Sequence, residues 1–220
     1  PVIIASVART PMAGFQGAFA PMTAVELGSA AIRSAVERAG IGSEAVERIY
    51  MGCVLPAAQG QAPARQAALG AGLARSVEAT TVNKMCGSGM QATIMACEAI
   101  LSGSIDIAVA GGMESMTNAP YALPKHRGGA RIGHDRVVDT MMMDGLEDAY
   151  ARGKPMGAFA EDSAREYQFS REEQDAYALA SLSRANAAIA GGVFAAEIVP
   201  VEVSTRGSAT TVAVDEQPGK

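Results

Sequence analysis

The chain has 220 residues but only three cysteines and two histidines. Three cysteines are too few for a disulfide framework, which points to a reducing compartment and a cytoplasmic location. Their positions, 53, 86 and 97, fit no zinc signature, and the histidines are not at ligand spacing, so no metal site is expected. No apolar run approaches the ~18 residues that a membrane span needs. Val2–Ala8 is apolar but short, and it lacks the cationic start of a secretory signal. Charge is sparse, at 19% of residues, and the formal net charge is −5. That mild acidity argues against nucleic acid as the main partner. Apolar content is high, with 49% hydrophobic residues and a mean hydropathy of +0.13. It excludes disorder, collagen and coiled-coil arrays, and it allows a sizeable core in one or two domains.

Residues 1–118 alternate short β-type runs with helical patterns. Val2–Val7 is an apolar, β-branched strand candidate. Thr23 and Glu26 form a capping box ahead of a helix that stops at Gly40. Ile49–Leu55 reads as a second strand, Arg65–Leu73 as a short helix and Glu78–Val82 as a third strand. A helix over Ser88–Leu101 and a strand over Ile105–Ala110 follow. Such alternation implies a parallel or mixed sheet covered by helices. Residues 121–136 form a basic loop that holds His126, His134, Lys125, Arg127, Arg131 and Arg136. Helices are expected over Met156–Tyr167 and Arg171–Ala190, the second opened by a capping box of Ser170 and Glu173. Two β runs, Ile198–Val203 and Thr210–Val214, close the chain.

Cys86 stands between a predicted strand and a predicted helix, directly before Gly87 and Gly89. Glycines there permit a tight turn and close approach by another group. Unpaired N–H groups of the first helical turn would face the sulfur, and the helix dipole favours an anion there. A thiolate so placed attacks acyl groups, and the nearby N–H groups hold the oxyanion that results. The opposing reading is an inert buried thiol, the usual fate of cysteine. Cys53, mid-strand, and Cys97, mid-helix, read as core. Gly87–Ala92 also matches G-x-G-x-x-A, with Asp106 farther on, a weak likeness to a dinucleotide fingerprint. That motif leaves the preceding cysteine unexplained.

Asn83–Ala92 closely resembles the nucleophile motif of the thiolase family, and the likeness runs along almost the whole chain. Arg9-Thr10-Pro11, Met51–Pro56 and Gln59–Gln66 are similar to family segments, and Ala110–Met116 is a highly specific one. Asp139–Met141, Asp144–Leu146, Met156-Gly157, Ala160-Glu161, Ser170–Ala180 and Glu197–Pro200 continue the series in order. The resemblance implies an α/β fold of the layered α-β-α thiolase type, built from two similar halves. Residues 1–118 would be most of the N-terminal half, and 119–220 most of a truncated loop domain that covers the coenzyme A site. The C-terminal half would be absent from this chain.

By the same resemblance, Cys86 is the acyl-thioester nucleophile, and its own backbone N–H is an oxyanion donor. Leu146 would touch coenzyme A, and Met156 would line the acyl pocket. Residues 121–136 resemble the family's tetramer-forming segment, implying a homodimer or homotetramer. The implied activity is an acyltransferase of reversible thioester Claisen condensation and thiolysis, acetyl-CoA C-acetyltransferase. Coenzyme A and acetyl-CoA would be substrates, with no permanently bound cofactor. The family's Gly-His-Pro base, its Cys-x-Gly second cysteine and its Asn-Glu-Ala-Phe segment do not occur in this chain. The missing C-terminal half is therefore an expected partner, and the isolated chain is expected to be inactive. Lys220, after the turn-like Gln217-Pro218-Gly219, is a possible site of cleavage by a trypsin-like protease.

Pro155 stands where some short-chain members carry His before Met-Gly, which leaves open a broad-chain 3-ketoacyl-CoA thiolase of fatty-acid β-oxidation. Another alternative is a non-catalytic acyl-CoA-binding subunit. Ketoacyl synthases share the fold and a cysteine nucleophile, but the Gly-Ser-Gly context and Gly111–Met116 look like thiolase.

Overall fold

The computed structural model describes residues 1–205 and 207–219. They divide into two compact units, one of Pro1–Asn118 with Phe194 onward, the other of Ala119–Val193. Lys220 lies outside the described residues.

The first unit opens with α1, Ala24–Ala39. Its capping box is fully formed: Glu26 N–H donates to Thr23 Oγ1, and the Glu26 carboxylate accepts the Thr23 N–H. Gly40, left-handed at φ 67°, closes the helix. Then come β1 (Arg48–Gly52), α2 (Pro63–Gly70), β2 (Glu78–Val82), α3 (Ser88–Leu101) and β3 (Ala108–Gly112). Pro63 takes the first turn of α2, where its missing N–H costs nothing.

The sheet is parallel, in the order β2-β1-β3. Crossovers between parallel strands are right-handed. The chain moves one way from β1 to β2 and the other way from β2 to β3, so α2 and α3 fall on opposite faces. Side chains of β1 alternate accordingly. Ile49 and Met51 join Ile32, Val36, Ala64, Ala67 and Ala68 on the α1–α2 face. Tyr50 joins Val82, Ala92 and Ala96 on the α3 face. The result is a three-layer α-β-α arrangement.

Several strand expectations change, among them the run over Ile49–Leu55, which ends at Gly52. Val2–Val7 forms no ladder among the described residues, and Ile3 and Ile4 stay exposed. The Val7 carbonyl accepts Arg38, and just beyond the segment Arg9 makes an isolated β-bridge to Ile198. β3 begins at Ala108 rather than Ile105, because the Glu47 carboxylate takes the N–H groups of Asp106 and Ile107 at 2.7 and 3.1 Å. That side chain replaces a ladder partner at the strand's start.

One face of α3 stays exposed among the described residues. Met90, Ile94 and Leu101 recur at helical spacing and are exposed.

In the second unit, β4 (Tyr121–Ala122) pairs antiparallel with β5 (Val138–Asp139). The buried Thr140 hydroxyl donates to the Pro120 carbonyl at 2.6 Å and fastens this pair. A single π-helical turn covers Met142–Leu146. α4 (Met156–Glu166) and α5 (Arg171–Ala190) follow, the latter with the expected Ser170–Glu173 capping box formed. Residues 123–136 of the basic loop are exposed, and His126 Nδ1 lies 2.8 Å from the Asp135 carboxylate.

The chain closes with a hairpin of β6 (Val201–Thr205) and β7 (Ser208–Val212). Val201 and Val203 bury against Phe19, with Leu27 and Ala30 of α1 beside them. Residues 194–219, which the motif reading joins to 119–193, therefore group with the first unit.

Candidate active site

The carboxyl ends of β1, β2 and β3 converge beside the start of α3, the edge where open α/β sheets hold their sites. Close approach there depends on glycine. A Cβ on Gly52 would lie 2.7 Å from Ser88 Cβ and 2.9 Å from Gly89 N. A Cβ on Gly112 would lie 3.8 Å from Gly89 Cα, an ordinary contact, so Gly52 is the strand end against which the first turn of α3 sits most tightly.

Cys86 is exposed, in the turn between β2 and α3. The turn is made by Met85, which is left-handed at φ 51°, rather than by Gly87, which has φ −87°. A side chain in that conformation costs about 1–2 kcal/mol, so the surroundings must hold it. They do so group by group. Met85 N–H donates to Asn83 Oδ1 at 3.1 Å, and the Met85 carbonyl accepts the Ser88 hydroxyl at 2.5 Å and the Ser88 N–H at 3.0 Å. Lys84 N–H donates to Ser88 Oγ at 2.9 Å, and the Lys84 carbonyl accepts the Gly87 N–H at 3.1 Å. All four backbone groups of Lys84 and Met85 are thus satisfied. The N–H groups of Cys86, Gly89 and Met90 have no acceptor among the described residues. An exposed sulfur beside free donors at a helix start can attack a carbonyl carbon while donors await the oxyanion.

Glu114, two residues beyond β3, anchors the neighbouring loop. Its carboxylate accepts the N–H groups of Val54 and Leu55 at 2.8 and 3.0 Å and lies 3.5 Å from the Cys53 sulfur. Glu114 therefore has a structural part. Burial, together with that nearby carboxylate, pushes the Cys53 thiol up to about 11. Cys53 is buried, and Cys97 is half-buried on α3. Asn83 and Ser88 were not singled out by sequence. The available signal was an Asn two residues before the left-handed position, since Asn side chains cap such turns.

Leu146 and Met156 both belong to the second unit. Glu147 and Pro155 form an antiparallel bridge, so its register sets Leu146, at the end of the π turn, opposite Met156, at the start of α4. Asp148 N–H continues the pairing to the Lys154 carbonyl at 3.0 Å. Lys154 in turn reaches Asp162 at 2.6 Å and lies over the Phe159 ring, bracing this corner. The Lys154 and Arg165 cations hold the Asp162 carboxyl below the usual carboxylate range.

Among the described residues, no cluster of three or more His, Cys, Asp and Glu is placed to hold a metal ion. No helix among them is long and apolar enough to cross a membrane.

Comparison with known proteins gives one consistent result. Acetyl-CoA acetyltransferase of Schizosaccharomyces pombe is 51% identical over 219 residues, covering 99% of this chain and 55% of that protein. Acetyl-CoA acetyltransferase 1 of Arabidopsis thaliana is 50% identical over 218 residues, 99% of this chain and 52% of that protein. A probable acetyl-CoA acetyltransferase of Escherichia coli is 46% identical over 217 residues, 99% of this chain and 55% of that protein. The chain thus spans about half the length of the curated relatives it matches. The family model described as the thiolase N-terminal domain matches residues 2–220, and the chain belongs to the thiolase family.

Proposed function

We propose that this chain is the nucleophile-bearing part of an acetyl-CoA C-acetyltransferase that works through an acyl-Cys86 intermediate. The observation that carries the reading is the exposed Cys86 sulfur on a fully braced turn, with its own N–H free. In the first step the Cys86 thiolate adds to the carbonyl of an acyl-CoA. The oxyanion is received by the Cys86 N–H and a donor from elsewhere in the enzyme. The carbon–sulfur bond to coenzyme A then breaks, and the departing sulfur takes a proton. In the second step the acyl group passes to the C2 carbanion of acetyl-CoA, or back to the thiol of coenzyme A. Either transfer releases the Cys86 thiolate.

Proton transfer at both sulfurs needs a positioned acid and base. Glu114 is committed to backbone N–H groups, and Lys84 to the Gln91 side chain at 2.7 Å. The base and the second cysteine that the thiolase resemblance implies are proposed to lie in the half of the relatives' length that this chain does not span. The exposed apolar face of α3, with Met90, Ile94 and Leu101, supports a further partner surface there. Leu146 and Met156 are proposed to meet coenzyme A and the acyl group, and the second unit, Ala119–Val193, to cover the coenzyme. A cytoplasmic, homodimeric or homotetrameric enzyme completes the proposal. The free thiols support a reducing compartment.

Mild iodoacetamide treatment of the natural full-length polypeptide, followed by peptide mass analysis, tests the nucleophile. Alkylation of Cys86 well ahead of Cys53 and Cys97 is expected, as is acetyl transfer from acetyl-CoA to the Cys86 peptide. Equal sluggishness of all three thiols would overturn the reading. Pro155, directly before Met156, supports a second reading as a broad-chain 3-ketoacyl-CoA thiolase. Thiolysis rates with acetoacetyl-CoA and with a longer 3-ketoacyl-CoA separate the two.

A further inference from the structure

Asn83 has a side chain that joins two pieces of backbone. Its Oδ1 accepts the Met85 N–H at 3.1 Å, and its Nδ2 donates to the Val54 carbonyl at 3.3 Å. The first bond closes an Asx turn over Lys84 that ends on the left-handed Met85, the residue next to Cys86. The second bond reaches the loop after β1, which is itself fixed. Val54 N–H and Leu55 N–H are both held by the Glu114 carboxylate from the end of β3. The Gln59 amide donates to the Leu55 carbonyl at 2.8 Å on the same loop. Ser88 braces the turn from the helix side. Only Asn83, among the described residues, ties the turn by a side chain to a neighbouring strand's loop.

We propose that Asn83 is a positioning residue for Cys86: by bridging the Val54 carbonyl and the Met85 N–H, it holds the turn that presents the sulfur at the start of α3. The role rests on reading Cys86 as the nucleophile. The physical reason is geometric. Attack on a carbonyl needs the sulfur and the oxyanion donor set together, and small misplacements are costly in rate. Met85 does not prefer its left-handed conformation. Without the side-chain acceptor the turn can relax, and without the Val54 link it can shift along the strand ends. Neither change removes a contact to coenzyme A.

The test uses the natural full-length polypeptide with two variants. Asn83→Leu keeps the approximate size and removes both bonds. Asn83→Ser keeps a short neutral acceptor for the turn but cannot span to Val54. In Asn83→Leu, kcat for acyl transfer and the Cys86 alkylation rate are expected to fall by about tenfold to a hundredfold. KM for the acyl-CoA and the protection of Cys53 should be unchanged. Asn83→Ser should recover part of both rates. Wild-type rates in both variants would overturn the proposal, and a full recovery in Asn83→Ser would overturn the Val54 bridge. Should Asn83→Leu expose Cys53 to rapid alkylation, and so be unfolded, Asn83→Ser decides alone: unchanged kcat there overturns the proposal. Failure of the underlying reading looks different, because wild-type Cys86 would then show no preferential labelling.

Discussion

Asp215 accepts both terminal nitrogens of Arg9, at 2.7 and 3.0 Å, across 206 positions of chain. The same carboxylate accepts the Met12 N–H at 2.8 Å, and Glu197 takes Arg9 Nε at 2.5 Å. Glu216 adds bonds from the N–H groups of Gly14 and Ala18. This cluster fastens residues 194–219 to the start of the chain. The Arg9 guanidinium holds the Asp215 carboxyl below the usual carboxylate range, outweighing the opposing effect of burial.

The first prediction concerns acid. Asp215 has a lowered folded-state value, so it binds fewer protons folded than unfolded. Its stabilisation is therefore present above the ordinary carboxyl value of about 3.9 and lost as pH falls through the folded value. Asp215→Asn should cost about 2–4 kcal/mol at neutral pH. The difference between variant and wild type should shrink at low pH. Chemical denaturation at several pH values measures both.

Cys53 predicts the opposite limb. Its raised thiol keeps a proton folded that it would lose unfolded. Stability from this group is complete below the ordinary thiol value of about 8.5. It declines as pH rises toward about 11. Cys53→Ala should flatten the alkaline part of the stability profile while lowering overall stability through the cavity it leaves. Thermal unfolding across the alkaline range shows whether the slope changes.

Gly52→Ala tests the seat of α3. The new Cβ would meet Ser88 Cβ at 2.7 Å and Gly89 N at 2.9 Å, and backbone cannot swing aside as a long side chain can. A loss of about 1–3 kcal/mol is expected, with a Tm drop of about 2–4 °C per kcal/mol. Cys86 alkylation should slow in step, since Ser88 braces the turn that carries it. Calorimetry and a labelling time course read the two effects.

Thr23→Ala should cost about 1 kcal/mol, because it removes the acceptor of the Glu26 N–H and half of the capping box. Labelling at Cys86 should not change, which separates a plain loss of stability from the Gly52 effect.

Local signals were legible wherever the chain satisfies itself. The Thr23–Glu26 and Ser170–Glu173 boxes, the span of β2 and the span of α3 follow from spacing and caps that need no distant partner. Cys86 could be placed between strand and helix for the same reason. The turn's conformation could not: glycine at 87 attracted the expectation, while the strain sits on Met85 and is held by Asn83 and Ser88.

The sequence by itself determined the alternating elements, the cysteine at the head of α3 and the family, because propensity, capping and motif order are properties of neighbouring residues. Tertiary structure decided the rest. Val2–Val7 is apolar enough for a strand yet forms no ladder among the described residues, since a strand exists only where a ladder partner is presented. Glu47 trims β3, Glu114 fixes the loop beside Cys86, and Asp215 returns the end of the chain to Arg9. Each is a single carboxylate acting across 59 or more positions, a distance over which sequence spacing carries no geometric information.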